Sequence, residues 1–262
     1  MPILPQSALR HRPGKWGAVA IWRRHSNCND ASLRAGLVAL LELPRPTGAT
    51  LLVAAAPSVV GLESSWLGGP FAPRTQGQVF LQATADERAP LLVLLRAATH
   101  ILGGRCDLDE ELIGGKIGDG REPFGFRDSV KAPTLEERHE LVGPEGVTTL
   151  LYLRFEQHLD RFGAQPVATR EAAMGQRLDG DPLTVSGSHR DRFQTKKDIV
   201  RRGFPYRHCG EEGLAFVAAA AAAQPLRAAW QHFEGDPLRP FVTPLSSGFY
   251  VAPPDAAWVK TR

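Results

Sequence analysis

Cysteine is scarce in this 262-residue chain: Cys28, Cys106 and Cys209 are the whole complement, with no CxxC and no close spacing. That excludes a zinc knuckle or a disulfide framework, and a reducing, cytoplasmic compartment is the simplest setting. Long hydrophobic runs are missing as well. The longest, Leu214–Ala223, falls far short of the roughly 18–20 residues of a membrane-spanning helix, so no membrane partner is expected. Charge of one sign is lacking too. The 31 Lys and Arg stand against 28 Asp and Glu, and basic residues never run beyond pairs such as Lys196–Lys197. A balance so mild and evenly mixed argues against a nucleic-acid partner. Met1–Gly14 has no apolar h-region, and His25-Ser26-Asn27 follows the Arg23–Arg24 pair, so no export signal is expected.

Local catalytic motifs are equally sparse. Gly114-Gly115-Lys116 and Gly118-Asp119-Gly120 fit neither GxxxxGK[ST] nor GxGxxG after a strand, which leaves nucleotide binding without support. There is no GxSxG and no HExxH, so serine-hydrolase and zinc-hydrolase chemistry have no motif behind them.

What is present is apolar mass and many turns. Hydrophobic residues make up 43% of the chain, and 26 glycines with 21 prolines point to frequent turns rather than a long helical bundle. Gly17–Arg23 reads as a strand. Asn29 to Ser32 offers a helix N-cap, followed by Leu33, Leu37, Leu40 and Leu41 at helical spacing. Thr50–Ala55 and Gln78–Ala83 read as strands and Glu87–Leu102 as a helix. This is the rhythm of an α+β ferredoxin-like unit. Gly103–Thr134, with seven glycines and two prolines, reads as a long loop of the kind that carries function. The rhythm then restarts, with strands at Thr148–Phe155, Leu214–Ala219 and Gly248–Ala252 and helices at Thr169–Arg177 and Leu226–Phe233. The small run Ala218–Ala223 suits close packing where a strand passes into a helix. The expected fold is α+β, with two ferredoxin-like units of the dimeric α+β barrel type. Residues 1–134 form the first unit with its long loop, and 135–262 the second.

Three segments could carry chemistry: Glu122-Pro123-Phe124-Gly125-Phe126-Arg127-Asp128-Ser129, Ser186-Gly187-Ser188-His189-Arg190, and Ile199-Val200-Arg201-Arg202-Gly203. Taken singly, Asp128 could be a turn aspartate, His189 a surface histidine and Arg201 a solvated charge. Taken together, the segments resemble the dye-decolourising-type haem peroxidase family. In that family a GxxDG motif supplies a distal aspartate, a later histidine binds the haem iron, and an arginine soon after it faces the distal side. Further echoes lie at Gly213–Val217 and Gly248–Pro253, and the likeness runs from about Gln78 to Pro254.

The resemblance implies a haem b cofactor with His189 as axial ligand, Asp128 as distal acid–base and Arg201, not Arg202, as the fixed charge. Gly125, Phe126, Arg127, Ser129, Phe216 and Phe249 are the expected neighbours of the haem. It implies hydrogen peroxide and an organic electron donor as partners, and leaves a homo-oligomer open. A non-catalytic haem-binding or haem-transfer protein, or a haem oxidase for one specific metabolite, are the competing readings. Nothing in Trp258–Arg262 reads as a docking tail for a protein shell. The chain departs from the family in two places: Ser129 stands where the motif ends in glycine, and the stretch from His189 to Arg201 is short. Trp230, Tyr206, Tyr152 and Trp258 are candidate electron-relay residues, each more simply read as a core aromatic.

Overall fold

In each half of the chain the same strand–helix–strand–strand–helix–strand order recurs, and the physical cause is visible in the first of them. The computed structural model describes residues 4–63, 73, 75–116, 118, 120–127, 134, 143–193 and 198–262. A short helix α1 (Ser7–Arg10) precedes β1 (Trp16–Arg24). Helix α2 (Asp30–Leu41) starts where the Asn29 side chain accepts a hydrogen bond from the Ser32 N–H at 2.8 Å, and it buries Leu33, Leu37, Leu40 and Leu41. Then come β2 (Ala49–Ala55), β3 (Val79–Ala85), α3 (Ala89–Leu102) and β4 (Cys106–Gly115). The strands pair antiparallel in the order β2-β3-β1-β4, the ferredoxin-like arrangement.

The second half supplies β5 (Thr148–Gln157), α4 (Leu159–Gly163), α5 (Val167–Met174), α6 (His189–Phe193), β6 (Val200–Arg201), β7 (Phe204–His208), β8 (Glu211–Ala220), α7 (Ala223–Glu234), β9 (Val242–Ala252) and α8 (Ala256–Lys260). Its order is β9-β5-β8-β7, the same topology. β6 and β7 keep one register against β8, from Val200↔Ala219 to His208↔Glu211. β8 ends at Ala220 and α7 begins at Ala223, so the alanine run does mark the passage from strand to helix.

The two units join edge to edge, β2 to β9 at Ala55↔Val251 and β4 to β7 at Gly114↔Tyr206, and the sheet closes on itself through β5–β8. A Cβ at Gly114 would lie 2.0 Å from the Pro205 carbonyl oxygen, so only glycine lets that second seam form. The chain is thus α+β with a closed antiparallel sheet, as expected.

Gly103–Thr134 is corrected: its first third is not loop but β4. The acidic Cys106-Asp-Leu-Asp-Glu-Glu run has poor strand propensity. Pairing along all of β1 overrides it, aided by the Arg23–Asp109 ion pair at 2.7 Å. Among the described residues no helix is long and apolar enough to cross a membrane.

Because the sheet is covered on both sides, strand alternation sorts side chains into three cores. Val19, Ile21, Leu52, Phe80, Tyr152, Val217 and Tyr250 fill the barrel. Trp22, Leu51, Val53 and Leu81 pack under α2 and α3. Leu151, Leu153, Phe155 and Ala218 face α7 in a third, aromatic-rich core with Phe162 and Trp230.

Phe80 is fully buried between Tyr250 and Tyr152, with ring centroids 4.9 and 5.6 Å away. Truncating it leaves a cavity that the stiff strands cannot collapse. Phe80→Ala is expected to lower unfolding free energy by about 3–5 kcal/mol in denaturant titration, with Phe80→Leu losing less.

Candidate active site

The third core is incomplete. Between the outward faces of β5, β6, β7 and β8 and helices α6 and α7 lies an open cavity. Its walls are mostly apolar, built from Leu151, Leu153, Phe155, Phe216, Trp230 and Phe233, with polar groups at Glu122, Gln157, His189 and Arg201 and cations at Lys116, Arg121 and Arg127. An apolar pocket with few convergent polar groups is the form that binding sites take.

His189 opens α6, whose start is fixed by local bonds. Ser188 Oγ accepts from the Asp191 N–H at 3.3 Å, and the Asp191 carboxylate accepts from the Gly187 N–H at 2.8 Å. This reciprocal exchange resembles a capping box. His189 Nδ1 lies 2.9 Å from Asp236 Oδ2, a carboxylate with 0% side-chain exposure, while the imidazole itself remains 26% exposed. Asp236 is held in turn, because its Oδ1 accepts from the Leu238 N–H at 2.8 Å in the turn after α7. The Nδ1–H therefore donates to the carboxylate, and Nε2 keeps its lone pair for a Lewis acid.

Arg201 and Arg202 part company through strand alternation. Ile199, Arg201, Gly203 and Pro205 line the cavity. Val200, Phe204 and Tyr206 point into the barrel core, and Arg202, between them in register, is 1% exposed there. The Arg201 guanidinium sits 5.6 Å from the centre of the Phe193 ring, and its Nη2 donates to the Phe193 carbonyl at 3.5 Å.

Of the other expected neighbours, Arg127 and Phe216 line the cavity. Gly125, Phe126 and Phe249 are not among its lining residues, for local reasons. Gly125, at φ +90°, makes the turn in which its N–H donates to the Glu122 carbonyl at 2.8 Å. Phe126 is fully buried and edge-on to Phe162, 6.3 Å between ring centroids. Phe249 is 1% exposed on β9, within the third core. Asp128 and Ser129 lie outside the described residues.

Two participants escaped sequence reading. Asp236 sits in a Gly-Asp-Pro-Leu turn that also occurs at Gly180–Leu183, so its sequence signal is that of a turn; only the fold brings it to His189. Glu122 belongs to a motif segment whose pattern assigns it no role. Its carboxylate accepts from Gln157 Nε2 at 3.2 Å and from the Phe126 N–H at 3.4 Å, and it lines the cavity. Burial pushes its pKa up to about 7, against the lowering effect of those hydrogen bonds and of His189.

A profile described as the C-terminal part of the Dyp-type peroxidases matches residues 119–257. The chain belongs to the Dyp-type peroxidase family. Solved structures agree on the fold. A dye-decolorizing protein from V. cholerae is 22% identical with a TM-score of 0.81, the alignment covering 97% of this chain and 99% of that one. A Dyp-type peroxidase protein from Shewanella oneidensis is 18% identical with a TM-score of 0.84, over 100% and 99%. A variant of DypB from Rhodococcus jostii RHA1, solved in complex with haem, is 17% identical with a TM-score of 0.82, again over 100% and 99%.

The sign of the Glu122 effect on stability follows from its titration. The folded protein keeps this carboxyl protonated to about pH 7, whereas the unfolded chain releases the proton near 4.5. Its contribution is therefore fully present below pH 4.5 and declines as pH rises through 7, by up to roughly 3 kcal/mol. In the haem-free protein, Glu122→Gln is expected to flatten the fall in denaturation midpoint between pH 5 and pH 8; an unchanged slope would remove Glu122 as its source.

Proposed function

We propose that this Dyp-type peroxidase binds haem b in the cavity beside His189 and uses hydrogen peroxide to oxidise organic electron donors. The observation that carries the reading is the His189–Asp236 pair at the wall of an apolar cavity. The donor set fits haem and not a bare ion. Among the described residues no group of three or more His, Cys, Asp and Glu could hold a metal. One oriented imidazole suffices only for a metal that brings its own in-plane ligands. The apolar walls suit a flat macrocycle, and Lys116, Arg121 and Arg127 supply cations for its acidic side groups.

Bound haem supplies the two-electron chemistry that splits peroxide. The chain's own residues have three tasks. His189 would hold the iron through Nε2, and the buried Asp236 carboxylate orients that imidazole by accepting a hydrogen bond from its Nδ1–H. Arg201 presents a charge that does not titrate near neutrality, placed to offset negative charge developing on peroxide. Asp128 takes a proton from one peroxide oxygen and returns it to the other, a role carried by the family motif Gly125–Ser129. Ser129 stands where the family motif has its last glycine.

The division of the chain at residue 134 belongs to the same reading, since it separates β4 from β5. The three free cysteines support a cytoplasmic setting.

His189→Ala is expected to abolish or greatly weaken haem uptake, read as loss of the Soret band after haem supplementation. His158→Ala and His232→Ala should load normally. His158 bonds to Thr243 at 2.8 Å and does not line the cavity. A full haem complement in His189→Ala would overturn the ligand assignment.

A further inference from the structure

The side chain that faces the barrel from the same strand as Arg201 is tied to the opposite unit. Arg202 Nε donates to Gln82 Oε1 at 2.9 Å, and Gln82 Nε2 donates back to the Arg202 carbonyl at 2.7 Å. Nη1 also donates to the carbonyls of Ala8 and of His11, the latter at 3.1 Å, and Nη2 reaches Thr50 Oγ1 at 3.5 Å. Gln82 is fully buried on β3, across the barrel from the cavity-lining strand.

A buried guanidinium is costly unless its donors are met, so this set of acceptors holds Arg202 in one place. Holding Arg202 also holds Arg201. The two are adjacent on one strand, and a slip of one residue would send Arg201 into the barrel and Arg202 into the cavity. On its β8 side the strand is secured by Val200↔Ala219, Arg201↔Ala218 and the Arg202 N–H to Val217 carbonyl bond at 2.7 Å. On its other side, β7 pairs with β4 at Gly114↔Tyr206. Of the polar ties from Arg202 to the first unit, which also include Ala8, His11 and Thr50, the two-way Gln82 bond is the one that engages both its side chain and its main-chain carbonyl.

We infer that Arg202 and Gln82 are positioning residues for Arg201, fixing from the far side of the sheet the aim of the charge in the cavity. The inference rests on the reading of Arg201 as the charge beside the haem. It gives the strands of the first ferredoxin-like unit, whose residues do not line the cavity, a defined part in the reaction.

Fluoride binding to the haem-loaded ferric protein reads this aim without turnover, because a nearby cationic donor stabilises the bound anion. Arg201→Leu is expected to raise the fluoride dissociation constant by roughly tenfold or more. Gln82→Leu should raise it by several-fold with haem still bound, and Gln82→Glu, which keeps an acceptor for Nε, should restore affinity. In the double variant Arg201→Leu/Gln82→Leu, affinity should be no weaker than in Arg201→Leu alone, since there is no charge left to misplace. Fold-changes that multiply, or a Gln82→Leu constant equal to that of the parent, would overturn the positioning role while leaving Arg201 in place. An Arg201→Leu constant equal to the parent's would overturn the reading of Arg201 and the positioning role with it. Should Gln82→Leu fail to load haem, Gln82→Asn, whose shorter amide cannot span both bonds, takes its place in the same cycle.

Discussion

Strand alternation within a closed sheet governs this molecule, because a barrel covered on its outside leaves no strand face for water. The buried residues of β1, β3, β5 and the strand from Val200 to Tyr206 face either the barrel core or the helices outside it. Around the first unit α2 and α3 pack over Trp22, Leu51 and Leu81. Around the second unit the gap between β5–β8 and α7 becomes the cavity. The candidate site is a local shortage of helix cover, lined by what the alternation turns outward: Leu151, Leu153, Phe155, Arg201 and Phe216.

The polar groups at that gap are anchored from behind. His189 is set by the buried Asp236 carboxylate, Arg121 donates to the Gly125 and Leu178 carbonyls at 2.6 and 2.8 Å, and Glu122 is clasped by Gln157. Preorganised charge in an apolar cavity acts more strongly than the same charge in water, since little dielectric stands between it and the reacting atoms. Burial in the same cavity wall pushes the Glu122 carboxyl up to about 7.

Much of this was legible in sequence where local physics decides. The Asn29 cap, the Leu33–Leu41 spacing and the alternation in Gln78–Ala83 each follow from short-range rules, and the elements appear within a few residues of their expected bounds. β4 was not legible, because Asp107, Asp109, Glu110 and Glu111 oppose strand formation and only pairing with β1 overrules them. β6 and β7 were hidden by their brevity and by Gly203 and Pro205, and they exist because β8 offers a matching edge. At the site, His189 and Arg201 could be picked out by motif. Asp236 could not, since an aspartate in a Gly-Asp-Pro turn reads as a turn former, and its 47-residue separation from His189 is closed only by α7 packing on the sheet. The different fates of Arg201 and Arg202 depend on a register that no spacing within Ile199–Gly203 reveals.

The central claim is that one oriented imidazole in the gap of the second unit holds the haem. A crystal structure of the haem-loaded protein tests it most directly. The account predicts iron bound to Nε2 of His189, with the Nδ1 bond to Asp236 intact, Arg201 on the opposite face of the macrocycle, and Arg202 still enclosed with Gln82 in the barrel. Iron on any other side chain, or haem lodged outside the cavity lined by Leu153, Phe216 and Trp230, would contradict it.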